Sequence, residues 1–376
     1  MVPEAVFFTE GDEYYLKFLQ MIAEAKKTVH LQTYIFEEDA FGTKVKEALL
    51  AAAAKGVNVS LLVDAVGSSH LSDAFAAELG SGGVEFCRFN PIGIKNGLSM
   101  WGRRLHHKVL LADDAALIGG INVVSETYLT EACPHLDFAV HIGGDICNEL
   151  RSYCDSLFQK ASGKKEASSK KTKFRSDRSV RISVSDWILH RWEISHRYVH
   201  LVKVARADLL IINSYFFPSK KFMKQLAAAA ARGVRVRLIL PKYSDWPSYV
   251  LATQYMYDYF LKNGIEIYQW KNSILHGKLA TVDDSFTTIG SFNLNFTGYQ
   301  QNLELNVDLY SIPFTGVVNQ QAERWIAESC EKITIASFVG ASTLWKIFQR
   351  LFFYTILSLV EGYFGLYKRG RRDPPL

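Results

Sequence analysis

The stretch "VHLQTYIFEEDAFGTKVKEALLAAAAKGVNVSLLVD" at residues 29–64 has a counterpart in "LLIINSYFFPSKKFMKQLAAAAARGVRVRLILP" at residues 209–241. Each contains an apolar segment, an alanine-rich segment, a glycine after a basic residue, and a second apolar segment. Lys55-Gly56 and Arg232-Gly233 are typical of helix C-termini, because glycine accepts the left-handed conformation and the cation faces the negative end of the helix dipole. The two stretches therefore predict a duplicated βαβ unit.

This duplication predicts an α/β fold with two similar α-β-α halves, each a mixed sheet flanked by helices. The halves are expected to be related by a pseudo-two-fold axis, with the active site between them. We place the first half at residues 1–158, a basic flexible linker at 159–185 and the second half at 186–332. A helical solenoid is the alternative reading of the alanine-rich segments, but solenoids need at least three copies of about 20 to 50 residues.

Composition narrows the class of protein. With 376 residues, 48% hydrophobic and 22% charged, the chain is long enough for two cores and is not disordered throughout. Its five cysteines form no C-x-x-C, which predicts neither a disulfide framework nor a cysteine zinc site and favours a reducing compartment. The N-terminus lacks the pattern of a secretory signal. His196 and His200 have zinc-like spacing on a predicted helix, but no third ligand accompanies them, which favours a surface or interdomain helix over a zinc site.

The basic residues are concentrated in two places. Residues 160–181 contain nine Lys and Arg against two acidic residues, and Lys368, Arg369, Arg371 and Arg372 follow near the C-terminus. The net charge of the whole chain is only +5, so the remainder is acidic and does not resemble a broad nucleic-acid footprint. Each basic run is either a solvated flexible segment or a region attracted to an anionic surface.

The chemistry-bearing pattern also occurs twice. "LHHKVLLADDAALIGGIN" at 105–122 is matched by "LHGKLATVDDSFTTIGSFN" at 275–293. Residues i and i+2 of a strand share a face, so His106 projects with Lys108, and His276 with Lys278. Two imidazoles and two ammonium groups suit a phosphodiester. The lysines would balance the charge on phosphate oxygens, while one histidine attacks phosphorus and the other protonates the leaving alkoxide.

An attacking imidazole needs an acceptor on its other nitrogen. Asp137 in "PHLDFAVHI" and Glu304 in "QNLELNVDL" are acidic residues in apolar strands, and we expect them to accept the N–H of His106 and His276, respectively. The alternative is that these polar groups merely satisfy one another, which duplication of the whole pattern disfavours.

The two H-x-K-x-x-x-x-D segments, each followed by a glycine-containing turn and an asparagine, resemble the duplicated signature of the phospholipase D superfamily. "TYIFEEDAFG", "LLVDAVGSSHLSDAF", "FNPIGIKN", "GGINVVSETY", "YFFPSKKF" and "LHGKLATVDD" look like bacterial cardiolipin synthases of the phospholipase D type. The resemblance implies that His106 is the nucleophile. The signature residues it implies are His106, Lys108, Asp113, His276, Lys278 and Asp283; the phosphate contacts are Asn122, Ser291 and Asn293; the histidine-orienting residues are Asp137 and Glu304.

Three features complicate this picture. Asp113 and Asp283 stand at the Asp-Asp turns, which favours bracing of the loop over direct catalysis. The first copy has Gly120 where the second has Ser291. The first copy also contains an insertion, "PIGIKNGLSMWGRR", which is either a lid over the substrate or an ordinary surface loop.

Residues 333–376 are predicted to be an amphipathic, membrane-associating tail. Apolar residues recur at helical spacing, but the longest aromatic-rich uncharged run, at 351–360, is too short for a spanning helix of about 20 residues. The alternative is a helix pair packed on the protein core. The tail predicts a peripheral protein on the cytoplasmic side of the cell membrane, with an anionic phospholipid membrane as its partner.

The expected function is a phosphatidyltransferase that forms cardiolipin from phosphatidylglycerol, or from another phosphatidyl donor, through a covalent phosphatidyl-histidine. The resemblance implies no metal, because the lysines and the covalent histidine take its place, and no cofactor and no nucleic acid partner are expected. The alternatives are a phospholipase D hydrolase, a phosphodiesterase acting on nucleic acid, and a non-catalytic lipid-binding scaffold.

Overall fold

A computed structural model describes residues 5–9, 11–91, 103–125, 135–164, 179–186, 189 and 191–367, with side chains to residue 360. The chain divides into two compact units. The first comprises Met1–Val184 with Ile289–Ser291 and Gln301–Leu309. The second comprises Ser185–Thr288, Phe292–Gln300 and Tyr310–Leu376.

The first unit contains a seven-stranded mixed sheet flanked by helices. Its elements, with the two short strands β5 and β8, are β1 (Val6–Thr9), α1 (Asp12–Glu24), β2 (Thr28–Thr33), α2 (Ala40–Ala54), β3 (Asn58–Asp64), α3 (Asp73–Ser81), β4 (Glu85–Phe89), β5 (Arg104–Leu105), β6 (Val109–Ala112), β7 (Ala115–Gly119), β8 (His135–Leu136), β9 (Phe138–Gly143) and α4 (Ile146–Ala161). The strand order is β1-β9-β7-β6-β2-β3-β4. Strands β2, β3 and β4 are parallel, whereas β6 runs antiparallel to β2.

The remaining elements follow the same plan. They are β10 (Val180–Asp186), β11 (Arg191–Trp192), α5 (Glu193–Val204), β12 (Asp208–Asn213), α6 (Lys220–Ala231), β13 (Arg235–Pro241), α7 (Pro247–Tyr255), α8 (Tyr257–Lys262), β14 (Glu266–Trp270), β15 (Ile274–Leu275), β16 (Lys278–Val282), β17 (Phe286–Gly290), α9 (Phe296–Gln300), β18 (Asn302–Tyr310), α10 (Ile312–Ser329), β19 (Cys330–Ile333), α11 (Ile335–Gly340) and α12 (Leu344–Tyr367). In the second unit β16, β12, β13, β14 and β19 are neighbours in that order. Strands β12, β13 and β14 are parallel, and β16 is antiparallel to β12.

The predicted βαβ repeat is confirmed as β2-α2-β3 and β12-α6-β13. Asp39 caps α2 and Ser219 caps α6 through side-chain oxygens that accept backbone N–H groups. Gly56 and Gly233 follow the two helices with φ of +84° and +90°, the left-handed conformation that the sequence pattern requires. The repeat therefore builds the same mixed α/β layer in each unit, and the predicted fold class is correct.

The division of the chain differs from the boundaries drawn on the sequence. Helix α4 continues to Ala161 and β10 begins at Val180, so both ends of the predicted linker are structured. Residues 165–178 lie outside the described residues, as do residues 92–102 of the predicted lid segment and the basic cluster at 368–372. Residues 289–291 and 301–309 group with the first unit. The reason is strand pairing: β18 runs parallel to β5, with Leu303 opposite Leu105.

Candidate active site

His106 is positioned by the pairing of β5 with β18. Its backbone N–H donates to the carbonyl oxygen of Leu303 at 2.9 Å, one step beyond the Leu105–Leu303 pair. The side chain is 8% exposed, and its Nδ1 lies 2.9 Å from Oε2 of Glu304 and 3.1 Å from the carbonyl oxygen of Ser291. The Ser291 carbonyl oxygen and an ionised Glu304 carboxylate accept hydrogen bonds but cannot donate them. Nδ1 must therefore carry the proton. The lone pair is then on Nε2, which is the arrangement a nucleophile needs.

Glu304 is completely buried and held by several donors. The Ser291 hydroxyl donates to Oε2 at 2.5 Å, and the Asn302 amide donates to Oε1 at 3.0 Å. Ser291 Oγ also accepts the backbone N–H of Leu305 at 3.1 Å. These bonds fix the carboxylate that fixes His106. The structure therefore uses the Ser291 hydroxyl to hold Glu304, and the phosphate contact expected of Ser291 stays a prediction.

The pairing of carboxylates with histidines also needs correction. The sequence predicts Asp137 for His106 and Glu304 for His276, each within its own repeat. In the structure Glu304, from the second repeat, orients His106 of the first. The physical reason is again the β5–β18 pairing, which joins segments almost 200 residues apart in the chain. Sequence order gives no signal for such a pairing.

Asp137 occupies the place in the first repeat that Glu304 occupies in the second. It is fully buried, and a Cβ added to Gly120 would come within 2.1 Å of its Oδ1. In the second repeat a serine at the equivalent position reaches the longer glutamate. The Gly-for-Ser difference is thus compensated by an acidic side chain that packs directly against the glycine.

Lys108 and Tyr34 flank His106. Lys108 is 4% exposed. Its ammonium donates to the His106 carbonyl oxygen at 3.0 Å and lies 5.3 Å from the Tyr34 ring centroid. The Tyr34 ring is 5.1 Å from the His106 ring. Burial, followed by the charge of Asp64, raises the pKa of the Tyr34 hydroxyl above its ordinary value. Tyr34 is therefore neutral, and its ring packs against the Lys108 ammonium and the His106 imidazole.

The second unit repeats this arrangement around His276. Lys278 is fully buried and its ammonium donates to the His276 carbonyl oxygen. Tyr215 packs edge-on against the His276 ring at 6.1 Å between centroids, and the Lys278 ammonium lies 6.0 Å from the Tyr215 ring. Tyr34 and Tyr215 occur at matching positions, in "TYIF" and "SYFF" at the C-terminal ends of β2 and β12. The sequence repeat contained this signal, but our sequence analysis did not assign these tyrosines to the site.

Asp245 adds a negative charge on the His276 side. The Tyr215 hydroxyl donates to both of its carboxylate oxygens, at 2.7 and 2.6 Å. Although partial burial raises the pKa of Asp245, the Tyr215 hydrogen bond and the charge of His276 lower it below its ordinary value. An ionised Asp245 stabilises the imidazolium form of His276, which is the form a general acid needs.

Asn122 and Asn293 hold the segments that carry the two tyrosines. Asn122 Oδ1 accepts the backbone N–H of Ile35 at 3.2 Å, next to Tyr34. Asn293 Oδ1 accepts the Ser214 hydroxyl at 3.1 Å, next to Tyr215. With the carbonyl oxygen fixed in this way, the orientation of each amide is set, and its N–H₂ remains the group suited to an anionic ligand.

Asp113 and Asp283 lie at the far end of the strands from the histidines. His106 precedes β6 and Asp113 follows it, while His276 precedes β16 and Asp283 follows it. Asp113 accepts backbone N–H groups from residues 26, 27 and 28, and Asp283 accepts those from residues 206, 207 and 208. Both carboxylates tie a turn to the start of the neighbouring strand. This geometry supports the loop-bracing interpretation and corrects their place among the catalytic groups.

His107 is a buried polar residue that the sequence analysis did not consider. It points away from its neighbour His106, and its Nδ1 donates to Gln32 Oε1 at 2.9 Å. Gln32 in turn reaches His30 at 3.0 Å, and His30 lies 3.3 Å from Asp155. Burial, reinforced by the positive charge of Lys108, lowers the pKa of His107 to about 3. His107 therefore stays neutral and joins the motif segment to β2.

The fold is a duplicated mixed α/β fold, and each copy places a His-x-Lys pair against a tyrosine. These features define the class of protein as an enzyme of the phospholipase D type. The chain belongs to the family described as "Cardiolipin synthase, PLD-like domain", which matches residues 18–131 and 198–326. The sequence prediction of this family is confirmed.

Individual relatives agree with this membership. The chain is 31% identical over 350 residues to cardiolipin synthase B of Escherichia coli (strain K12), covering 90% of this chain and 83% of that protein. It is 30% identical over 349 residues to cardiolipin synthase B of Salmonella typhi, with the same coverage. Among solved structures, phosphatidylserine synthase of Haemophilus influenzae Rd KW20 shares the fold, with a TM-score of 0.70, 15% identity and 96% coverage of both chains.

Proposed function

We propose that this protein is a phosphatidyltransferase that joins two phosphatidylglycerol molecules into cardiolipin and releases glycerol. The observation that carries the proposal is the buried Glu304–His106 pair, which presents Nε2 as a nucleophile. Membership of the cardiolipin synthase family and the relatives named cardiolipin synthase B support the choice of lipid. Its place of action is the surface of an anionic phospholipid membrane, on the cytoplasmic side of the cell membrane.

The first half of the reaction forms a phosphatidyl-histidine. Nε2 of His106 attacks the phosphorus of one phosphatidylglycerol. The bond between phosphorus and the headgroup oxygen breaks, its electron pair goes to that oxygen, and the oxygen takes the proton of His276. Glycerol leaves, and the phosphatidyl group remains on His106. Lys108 and Lys278 stabilise the negative charge that grows on the non-bridging oxygens.

The second half returns the enzyme to its starting state. A headgroup hydroxyl of another phosphatidylglycerol gives its proton to the now neutral His276, and its oxygen attacks the phosphorus. The bond between phosphorus and Nε2 breaks, and the electron pair returns to His106. Cardiolipin leaves, and His276 is again protonated. The proposal requires both histidines to act on one phosphorus atom, with Asp245 favouring the protonated state of His276.

The roles follow from the different neighbours of the two imidazoles. His106 donates its Nδ1 proton to a buried carboxylate, which leaves a free lone pair on Nε2. His276 packs against a tyrosine that is hydrogen-bonded to an ionised aspartate. This difference supports His106 as the nucleophile and His276 as the acid, in agreement with the sequence expectation.

The test is product analysis with defined lipid. Purified protein is incubated with phosphatidylglycerol in mixed detergent micelles, and products are identified by mass. We expect cardiolipin and glycerol in equal amounts. His106→Ala and His276→Ala should each reduce turnover by about 10³-fold or more, whereas His196→Ala, on the exposed face of α5, should not. Phosphatidic acid as the main product would replace the transferase with a hydrolase; turnover of single-stranded DNA without lipid products would replace it with a nuclease.

A further inference from the structure

The C-terminal helices have an apolar outer face. Large apolar side chains on α11 and α12 are exposed by 40% or more of their area: Ile335, Val339, Leu344, Trp345, Ile347, Phe348, Leu351, Phe352, Ile356, Leu359 and Val360. Three of the aromatic rings form a stacked row, with Trp345 and Phe348 at 5.6 Å and Phe348 and Phe352 at 6.1 Å between centroids. This exposed face is too large to be an ordinary scatter of surface residues.

The charge of the C-terminal sequence indicates the partner of this face. The sequence at 344–376 has a net charge of +4, with the acidic residues Glu361 and Asp373 against six basic residues: Lys346, Arg350, Lys368, Arg369, Arg371 and Arg372. An apolar, aromatic-rich helix face in a basic stretch of sequence is suited to the interface of an anionic bilayer. Among helices within the described residues, none is long and apolar enough to cross a membrane.

The opposite face of α12 packs on the second unit. Arg350, 8% exposed, donates to the Gln254 side chain at 3.1 Å and to the Ser342 hydroxyl at 2.6 Å. The Tyr354 ring lies 4.3 Å from the Tyr255 ring. Both Gln254 and Tyr255 belong to α7. The two alternatives drawn from the sequence are therefore not exclusive, because one face of the tail helix packs on the core while the other remains exposed.

This packing reaches the wall of the His276 site. Tyr354 also contacts Phe217, with ring centroids 5.5 Å apart, and the Thr253 hydroxyl of α7 donates to the carbonyl oxygen of Phe216 at 2.7 Å. Tyr249, on the same helix, packs against Tyr215 at 5.5 Å. The segment 215–217 is thus held by α7 and α12 at several points, and its first residue, Tyr215, packs edge-on against His276.

We propose that the outer face of α11 and α12 docks on an anionic lipid bilayer, and that docking steadies Tyr215 against His276 through the contacts of Arg350 and Tyr354. The inference rests on the proposed function, because it names the surface from which that site receives its lipid. Docking orders the tail helix, and an ordered tail helix restricts the movement of α7 and of residues 215–217. Turnover on a bilayer then exceeds turnover of the same headgroup in solution.

The docking surface is tested with two charge-matched double variants. Phe348→Glu/Leu359→Glu changes the exposed face, and Ile312→Glu/Val317→Glu changes exposed apolar residues of α10 by the same charge. Co-sedimentation with vesicles of equal parts phosphatidylcholine and phosphatidylglycerol should show binding that is weakened about tenfold or more by the first pair and unchanged by the second. Binding of the full-length chain should also weaken with salt.

The coupling is tested by turnover of two forms of phosphatidylglycerol: vesicles and a short-chain, soluble form. The α12 double variant should lose activity only on vesicles. Tyr354→Ala should bind vesicles normally but lose the excess of bilayer over soluble turnover, and Tyr354→Phe, which keeps the ring, should retain it.

Equal vesicle binding by the two double variants would overturn the docking surface, as would a dimer of the full-length protein that dissociates in the α12 variant and ignores vesicles. A full bilayer excess in Tyr354→Ala would overturn the coupling. If the unaltered protein did not turn over the soluble lipid, the proposed function would be contradicted instead. The docking surface is tested separately, since vesicle binding is measured without turnover.

Discussion

Glu304 lies in the second sequence repeat but orients the histidine of the first. Its carboxylate lies 2.9 Å from His106 Nδ1 and is held by donors from Ser291 and Asn302. In this position it accepts a hydrogen bond from the Nδ1–H group of His106. Tautomer control by a buried carboxylate is worth several orders of magnitude in enzymes that use histidine. In the proposed mechanism, the identity of this one side chain determines whether Nε2 can attack.

Replacement of Glu304 by Gln should reduce kcat by roughly 10²–10⁴-fold with little change in KM, because an amide N–H facing Nδ1 favours the tautomer with its proton on Nε2. The measurement is steady-state kinetics on soluble phosphatidylglycerol. Glu78→Gln, a surface carboxylate on α3, is the matched control and should behave as the unaltered protein. A normal kcat in Glu304→Gln would show that His106 does not depend on this carboxylate.

At the scale of elements, the Asp-Asp turns after β6 and β16 fix the strands that carry the motifs. Asp113 and Asp283 have φ of +47° and +50°, and each accepts backbone N–H groups at the start of a neighbouring strand. Although partial burial raises the pKa of Asp113, its three backbone hydrogen bonds lower that pKa below its ordinary value. The Asp113 carboxylate is therefore ionised and hydrogen-bonded in the folded protein.

Asp113→Ala should lower the free energy of unfolding by about 1–3 kcal/mol, because three N–H groups lose their acceptor and alanine is strained at a positive φ. Urea denaturation measures this loss, and kcat of the folded fraction should be unchanged. The exposed neighbour Asp114, replaced by Ala, is the control and should cost much less. A loss of turnover without a loss of stability would return Asp113 to the catalytic groups.

Sequence reasoning succeeded where the chain repeats itself and failed where distant segments pair. The βαβ repeat and the two His-x-Lys strands could be predicted because strand and helix periods are local. The partner of Glu304 could not, since it depends on β18 running beside β5. Tyr34 and Tyr215 were accessible from the repeat of "TYIF" and "SYFF", but aromatic residues after a strand are more often core than site, so the pattern alone did not select them.

At the scale of the whole molecule, the buried polar residues behind the motif make stability depend on pH. His107 is neutral in the folded protein, with a pKa lowered from 6.5 to about 3 by burial and by the Lys108 charge. Between these two values the unfolded chain binds a proton at this position that the folded chain does not. Stability from this group is therefore full above pH 6.5 and decreases as the pH falls toward 3.

Replacement of His107 by Gln should make the unfolding free energy fall less steeply with pH below 6.5, by up to about 1.4 kcal/mol per pH unit. Denaturation of both proteins across the upper part of this range measures the difference, and carboxylate titration common to both cancels. Identical slopes would mean that His107 takes up its proton in the folded state.

The central claim is that a phosphatidyl group is held on His106 and released with the help of His276. The most direct test uses His276→Ala with phosphatidyl-p-nitrophenol, whose leaving group needs no proton. We predict a burst of one equivalent of nitrophenolate per protein, followed by a stalled enzyme whose phosphatidyl adduct maps by peptide mass to His106. The absence of a burst, a burst that persists in His106→Ala, or an adduct at another residue would contradict the account.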